Sequence, residues 1–200
     1  MKNFSRIRQQ LRLSDPVLAP VISHIGTRVL SVSKDPFSDL AEAIINQQLS
    51  EKAGRTIFMR FRALFPNKRV TPALLLRKPD QELRSAGISG AKATYLKALA
   101  RAVSDKTLVL KTLSLQTDEE VIASLTAVKG IGRWTAEMFL MFSLGREDVF
   151  SYGDLGLRRA IQMLYRMKRE PSLRQLERLS GKWKPYRTYV ALALWNFKDG

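Results

Sequence analysis

Apolar residues recur every three or four positions through most of the chain, and the strict alternation of a half-buried strand is hard to find anywhere. "DPVLAPVISHIGTRVL" opens on Asp-Pro, a helix start, since proline in the first turn forgoes only an N–H that has no helical partner. "FSDLAEAIINQQLSEKAGRTIFMRFRALF" carries Leu40, Ile44, Ile45, Leu49, Ile57, Phe58 and Phe61 at helical spacing and reads as one long stretch, loosened at Ala53-Gly54. "TPALLLRKPDQELRSAG" predicts two short helices, the first opened by Thr71-Pro72 and the second closed by Gly87. Ser89 is placed to cap the helix of "SGAKATYLKALARAVSD". Thr117 with Glu120, and Ser172 with Gln175, have the spacing of capping boxes. "RWTAEMFLMFSL" is apolar on nearly every face and predicts a buried central helix, and "KPYRTYVALALW" predicts a last helix with Pro185 near its start. The pattern is that of an all-α protein of about nine or ten short helices, with no long-period repeat, low-complexity tract or linker.

Composition narrows the chemistry. The 34 Lys and Arg against 18 Asp and Glu leave a net charge of +16 over 200 residues, with no tail-like basic block. Positive charge spread over a folded surface suits a polyanion, of which nucleic acid is the commonest, ahead of a generally basic soluble protein or a partner for acidic membrane. There is no cysteine, which removes disulfides, thiolate nucleophiles and cysteine-ligated zinc or iron–sulfur sites. The one histidine, His24, rules out a histidine metal cluster and reads as a surface or packed residue. The charged N-terminus lacks a signal-peptide core and no run reaches membrane-spanning length. These features predict a soluble intracellular protein, cytoplasmic at the nucleoid, or nuclear in a eukaryote.

The candidate chemistry centres on "LTAVKGIGRWTAEMFL". Two helical runs flank Lys129-Gly130-Ile131-Gly132-Arg133. Glycines allow positive φ and close approach, and the next helix begins near Gly132 with free N–H groups and the positive end of its dipole, an arrangement suited to phosphate. Ile131 can pack inward to pin the turn. A plain αα-hairpin with a glycine turn would explain the same residues. The pattern Leu125-x4-Gly130-Ile131-Gly132-x2-Thr135-Ala136 resembles the helix-hairpin-helix motif of the HhH-GPD DNA glycosylase superfamily. The resemblance runs from about "DPVLAPVI" to Trp195. It implies a two-lobed helical fold with a DNA-binding cleft between lobes: one lobe of about 1–38 and 166–200, and a central lobe of about 39–165 with the hairpin at 125–144. Lys129, Gly130, Ile131, Gly132, Arg133 and Thr135 would then meet the DNA backbone. A monovalent cation, Na+ or K+, would sit on the carbonyls of Thr126, Val128 and Ile131. The absence of Cys excludes the iron–sulfur cluster that several relatives carry, and no other cofactor is implied.

The resemblance also marks Asp154, 22 residues after Gly132 in "GDLGLRRA", as the catalytic carboxylate, although Ser151 stands where the family usually has proline. Asp154 in isolation reads first as a helix N-cap, and only the surrounding constellation reverses that reading. Glu147 and Asp148 are nearby rivals that look like solvated loop charges. Lyase members of the superfamily carry a lysine nucleophile two residues after the second hairpin glycine; here that residue is Trp134, so strand cleavage is not expected. Tryptophan at that position is similar to the 3-methyladenine DNA glycosylase II type, where it lines the base pocket, and Trp195 in the "KWKPYRTYVALALW" ending matches a second pocket tryptophan. Trp134 has a core reading as well. Met138, one turn on, would face the same side and join the base pocket, where a family member has tyrosine. "AIINQQLS" resembles the family's wedge, with Gln48 as intercalating residue and Leu49 beside it; Asn46, Gln47 and Gln48 would otherwise be a polar helix face. Ser89, Gly90 and Lys92, after Gly87, resemble a second backbone grip, and would serve equally as ordinary helix caps. The function implied is a monofunctional glycosylase that removes alkylated purines from double-stranded DNA, a monomer, in a short form without the family's N-terminal β domain. A related glycosylase for deaminated or oxidised bases, or a non-catalytic DNA-binding module, are the alternatives.

Overall fold

A computed structural model describes residues 3–25 and 30–199 of the chain. Among them the regular structure is helical, with no strand. In order it runs α1 (Phe4–Ser14), 3₁₀ turns Pro16–Leu18 and Ile22–His24, α2 (Pro36–Asn46), α3 (Glu51–Ala63), a 3₁₀ turn Pro66–Lys68, α4 (Pro72–Arg77), α5 (Asp80–Ser85) and α6 (Gly90–Ser104). A 3₁₀ segment Leu110–Leu115 then leads to α7 (Asp118–Thr126), α8 (Arg133–Phe142), α9 (Leu155–Leu164), α10 (Leu173–Gly181) and α11 (Arg187–Asp199). No helix among the described residues is long and apolar enough to cross a membrane.

The chain divides into two compact units, Val32–Leu144 and Met1–Ser31 with Gly145–Gly200. In the first, α2 packs on α3, α6 and α8, α4 and α5 pack on α6, and α7 pairs with α8. Its core is made of the helical-period residues, Leu40, Ile44, Ile45, Phe61, Leu75, Leu96, Leu125 and Leu140, each fully enclosed. In the second, α9 packs on α11 and α1 on the two 3₁₀ turns, around Leu11, Leu18, Ile161, Trp183 and Leu194. A polar knot holds this unit: buried Asp15 accepts hydrogen bonds from the Tyr165 hydroxyl at 2.5 Å and the Trp183 indole at 3.1 Å. Burial first, then the Asp15 carboxylate, push the Tyr165 hydroxyl pKa well above its usual value.

Several expectations shift. The boundary expected near residue 165 lies at 144/145, because α9 is packed against α11 and takes residues 145–165 with the termini. The other boundary lies at 31/32 instead of 38/39, since α2 begins at Pro36 and buries Phe37 with Leu40. The long stretch breaks at Gln47–Ser50 and not at Ala53-Gly54: Ser50 caps α3, and Gly54 sits inside that helix. A Cβ on Gly54 would stand 2.3 Å from the Asn46 side chain, so the glycine permits a close crossing with α2. The "DPVLAPVI" segment forms 3₁₀ turns because Pro20 lacks the N–H that an α-helix needs at that point. The capping boxes of α7 and α10, the Ser89 cap and the turn at Gly87 (φ +94°) form as expected. The side chain of His24 lies outside the described residues.

Candidate functional site

Asp154 takes the helix-cap position that the sequence allowed for it. It is the N-cap of α9, its Oδ1 accepting the Leu157 N–H at 2.8 Å, and the same oxygen accepts the Trp195 indole N–H at 3.2 Å. The residue is 9% exposed. Two donors on one oxygen orient the carboxylate, and both come from elements packed on each other, α9 and α11. Gly156 makes this geometry available. A Cβ there would lie 3.0 Å from Asp154 Oδ1 and 3.4 Å from the Trp195 ring, where a side chain would crowd the indole off the carboxylate. Glu147 and Asp148 are not solvated loop charges. Asp148 is paired with Arg187 through Nε at 2.7 Å and Nη2 at 3.0 Å, and Glu147 accepts the Tyr189 hydroxyl at 2.5 Å. Both tie the segment before Asp154 to α11. Ser151 is fully buried, and its carbonyl accepts the Asp154 N–H at 3.2 Å.

The hairpin lies between α7 and α8. Gly130 is the glycine the backbone requires: φ is +94°, and a Cβ there would stand 2.1 Å from Cγ of Tyr95. Gly132 has an ordinary φ of −92° and open space where a Cβ would be. It heads α8 with no side chain capping the first turn, unlike α6 and α7. Ile131 is 4% exposed and pins the turn; its N–H is spent on the Val128 carbonyl at 3.1 Å, so neither its side chain nor its amide faces out for a phosphate. Thr135, at 3% exposure, is likewise turned inward. Lys129 is exposed. Arg133 is already engaged, by Glu119 at 2.8 Å and by Glu137 one turn on at 3.1 Å, and the Glu119 bond above all raises its pKa. Of the three carbonyls expected to take a cation, that of Val128 accepts the Ile131 N–H and keeps a second lone pair. Trp134 is 47% exposed, which removes the core reading for it, and Met138 follows at i+4, half-buried.

The α2–α3 turn carries Gln48 and Leu49, the residues expected to act as a wedge. Gln48 is exposed and has φ +58°, uncommon for a residue with a side chain. Leu49 beside it is 37% exposed. Gln47 donates its side-chain amide to the Gly130 carbonyl at 2.9 Å, so the turn is fastened to the hairpin. At the α6 start, Ser89 accepts the Lys92 N–H at 3.3 Å, an N-cap, and Gly90 is exposed with open space around it. The Lys92 ammonium does not face outward as expected. It donates to the Ile45 and Gln47 carbonyls, each at 2.8 Å, and burial lowers its pKa.

With the helical architecture, the hairpin and the carboxylate in place, comparison with known proteins decides the family. Residues 41–185 match the HhH-GPD superfamily of base excision DNA repair proteins. The chain belongs to this superfamily. It is 37% identical over 164 residues to DNA-3-methyladenine glycosylase 1 of Schizosaccharomyces pombe, covering 81% of this chain and 72% of that protein. Among solved structures it is similar to the S. pombe 3-methyladenine DNA glycosylase Mag1 in complex with abasic DNA, at a TM-score of 0.85 and 32% identity, over 96% of this chain and 95% of that one. A DNA-3-methyladenine glycosidase from Bacillus halodurans gives a TM-score of 0.83 at 37% identity, covering 95% of this chain and 88% of that one.

The HhH-GPD match spans Gln48, the hairpin and Asp154 and stops short of Trp195. Four residues beside these sites were given no part in them from the sequence: Tyr95 against Gly130, Gln47 on the hairpin carbonyl, Gly156 under Trp195, and Arg187 on Asp148. Only Gly156, a glycine inside a helix two residues after the candidate carboxylate, left a local signal. The other three act across 35 to 83 positions of sequence, and pattern along the chain does not report such pairs.

Proposed function

We propose that this protein is a monofunctional DNA glycosylase that excises alkylated purines of the 3-methyladenine and 7-methylguanine type from duplex DNA, leaving an abasic site. The observation that carries the reading is Asp154: a carboxylate nearly buried, held by the Leu157 N–H and the Trp195 indole, in a chain of the HhH-GPD superfamily. Breaking an N-glycosidic bond leaves positive charge on the sugar. A fixed carboxylate stabilises that charge without reorganising, and is placed to orient the attacking water. A purine alkylated on a ring nitrogen already carries positive charge and departs as a neutral molecule. It needs no proton donor, so one aspartate suffices.

Trp134 offers its exposed indole to such a base. A cationic base over an aromatic face gains about 0.5–2 kcal/mol, an advantage that a neutral normal base lacks. Gln48 and Leu49 fill the gap left by the flipped nucleotide. Gly132, Arg133 and Trp134 present the first-turn amides of α8 to a phosphate, with Lys129, Ser89 and Gly90 adding contacts. The carbonyls of Thr126, Val128 and Ile131 would hold a monovalent cation that adds charge beside that phosphate. With tryptophan and not lysine after the hairpin, no imine forms and the strand stays intact. The enzyme acts as a monomer wherever the cell keeps its DNA.

The test is to incubate the purified protein with methylated duplex and measure free 3-methyladenine and 7-methylguanine. Asp154→Asn should abolish release while retaining binding to a duplex with an abasic-site analogue, since asparagine caps a helix about as well as aspartate. Full activity in that variant would remove Asp154 from the mechanism. Release of 8-oxoguanine in place of the methylpurines would overturn the substrate class.

A further inference from the structure

The last turn of α2 has no basic residue of its own, so its C-terminal carbonyls lack a local cation. Lys92 of α6 supplies one from across the helix packing, donating to the Ile45 and Gln47 carbonyls at 2.8 Å each. The residue directly after this clamp, on the way to α3, is Gln48, held at φ +58°. A side-chain-bearing residue stays in that conformation only where its surroundings over-determine it. Here the surroundings include specific hydrogen bonds on either side. Lys92 holds the Gln47 carbonyl on one side, and the Leu49 N–H bonds to the Asn46 carbonyl at 3.1 Å on the other. The Gln47 side chain reaches the Gly130 carbonyl, and Gly130 is itself lodged against Tyr95.

We propose that Lys92 is a positioning residue for base flipping. Its ammonium braces the Gln47–Leu49 turn so that Gln48 is presented at a set distance from the hairpin. The proposal rests on the reading of Gln48 as the wedge. A lysine at a helix start in a DNA-binding protein is ordinarily read as a phosphate contact. Two short bonds to backbone carbonyls give this one another task, which Met cannot do and Arg can.

The experiment is single-turnover release of 7-methylguanine from two duplexes, one with the lesion opposite cytosine and one with it opposite an abasic-site analogue. The second needs less unpairing and so less help from a wedge. Lys92→Met should slow release from the paired duplex by roughly ten- to a hundredfold, the cost of a misplaced positioning group. It should slow the unpaired duplex by less than about threefold. Lys92→Arg should restore the paired rate, and the near-wild-type rate of Lys92→Met on the unpaired duplex separates misplacement from misfolding, which would slow both. Gln48→Ala should show the same paired-specific loss, and the double variant should be no slower than the slower single one. Equal slowing on both duplexes, or none on either, overturns the role of Lys92. If Gln48→Ala itself shows no paired-specific loss, the wedge reading fails and takes this proposal with it. If Gln48→Ala shows that loss and Lys92→Met does not, the wedge stands and Lys92 has no positioning role.

Discussion

The two hairpin glycines look alike in sequence and differ in physics, and substituting each by alanine separates the two reasons for a glycine. At Gly130 the backbone is at φ +94°, and the new Cβ would meet Tyr95 Cγ at 2.1 Å and Cβ at 2.5 Å. Placing alanine in a left-handed conformation costs about 1–2 kcal/mol. The contact adds to this. Tyr95 Cβ is fixed to α6 and cannot rotate away, so the hairpin or the helix must move, at about 1–3 kcal/mol for an overpacked core site. The sum, about 2–5 kcal/mol, corresponds to a fall in Tm of roughly 4–20 °C at this chain length. At Gly132 the backbone is ordinary, and nothing lies within 4 Å of the new Cβ. Gly132→Ala should therefore leave stability unchanged or raise it by about 0.4–1 kcal/mol. The methyl group would instead stand where a phosphate approaches the α8 amides. Losing such charge-assisted bonds costs about 1.5–3 kcal/mol, or roughly ten- to a hundredfold in Kd. Urea titrations give the first quantity, and fluorescence anisotropy with an abasic-site duplex gives the second. The reasoning is refuted if Gly132→Ala destabilises as much as Gly130→Ala, or if it binds DNA as tightly as the wild type.

Other expectations follow from single contacts. Trp195→Phe removes the indole donor on Asp154 Oδ1 and should lower the base-release rate by about tenfold, with abasic-site binding unchanged; a wild-type rate would show that the indole does not position the carboxylate. The product should be cut only after alkali, since no lysine stands at position 134, and strand nicking by the enzyme alone, seen on a denaturing gel, would contradict this. Asp15→Ala leaves the Tyr165 hydroxyl and the buried Trp183 indole without their acceptor, at about 1–3 kcal/mol each, so the urea midpoint should fall substantially; an unchanged midpoint would mean that other acceptors replace Asp15.

What the sequence by itself determined was local. Helical periodicity, proline and glycine punctuation and capping pairs place most helices, because each depends on residues within one or two turns. The glycine hairpin was legible for the same reason, whereas Trp134 and Asp154 were marked by the resemblance to the HhH-GPD superfamily. Expectations failed where the deciding partner was distant. Nothing along the chain tells that Lys92 turns to the Ile45 and Gln47 carbonyls, that Arg133 is held by Glu119, or that Thr135 faces inward. Nor does it separate Gly130, required by Tyr95, from Gly132, required by nothing in the folded chain. Asp154 shows both levels at once. Its place ahead of a helix was legible in "GDLGLRRA", but its second donor arrives from 41 residues away, and only the packing of α9 on α11 brings that indole to the carboxylate.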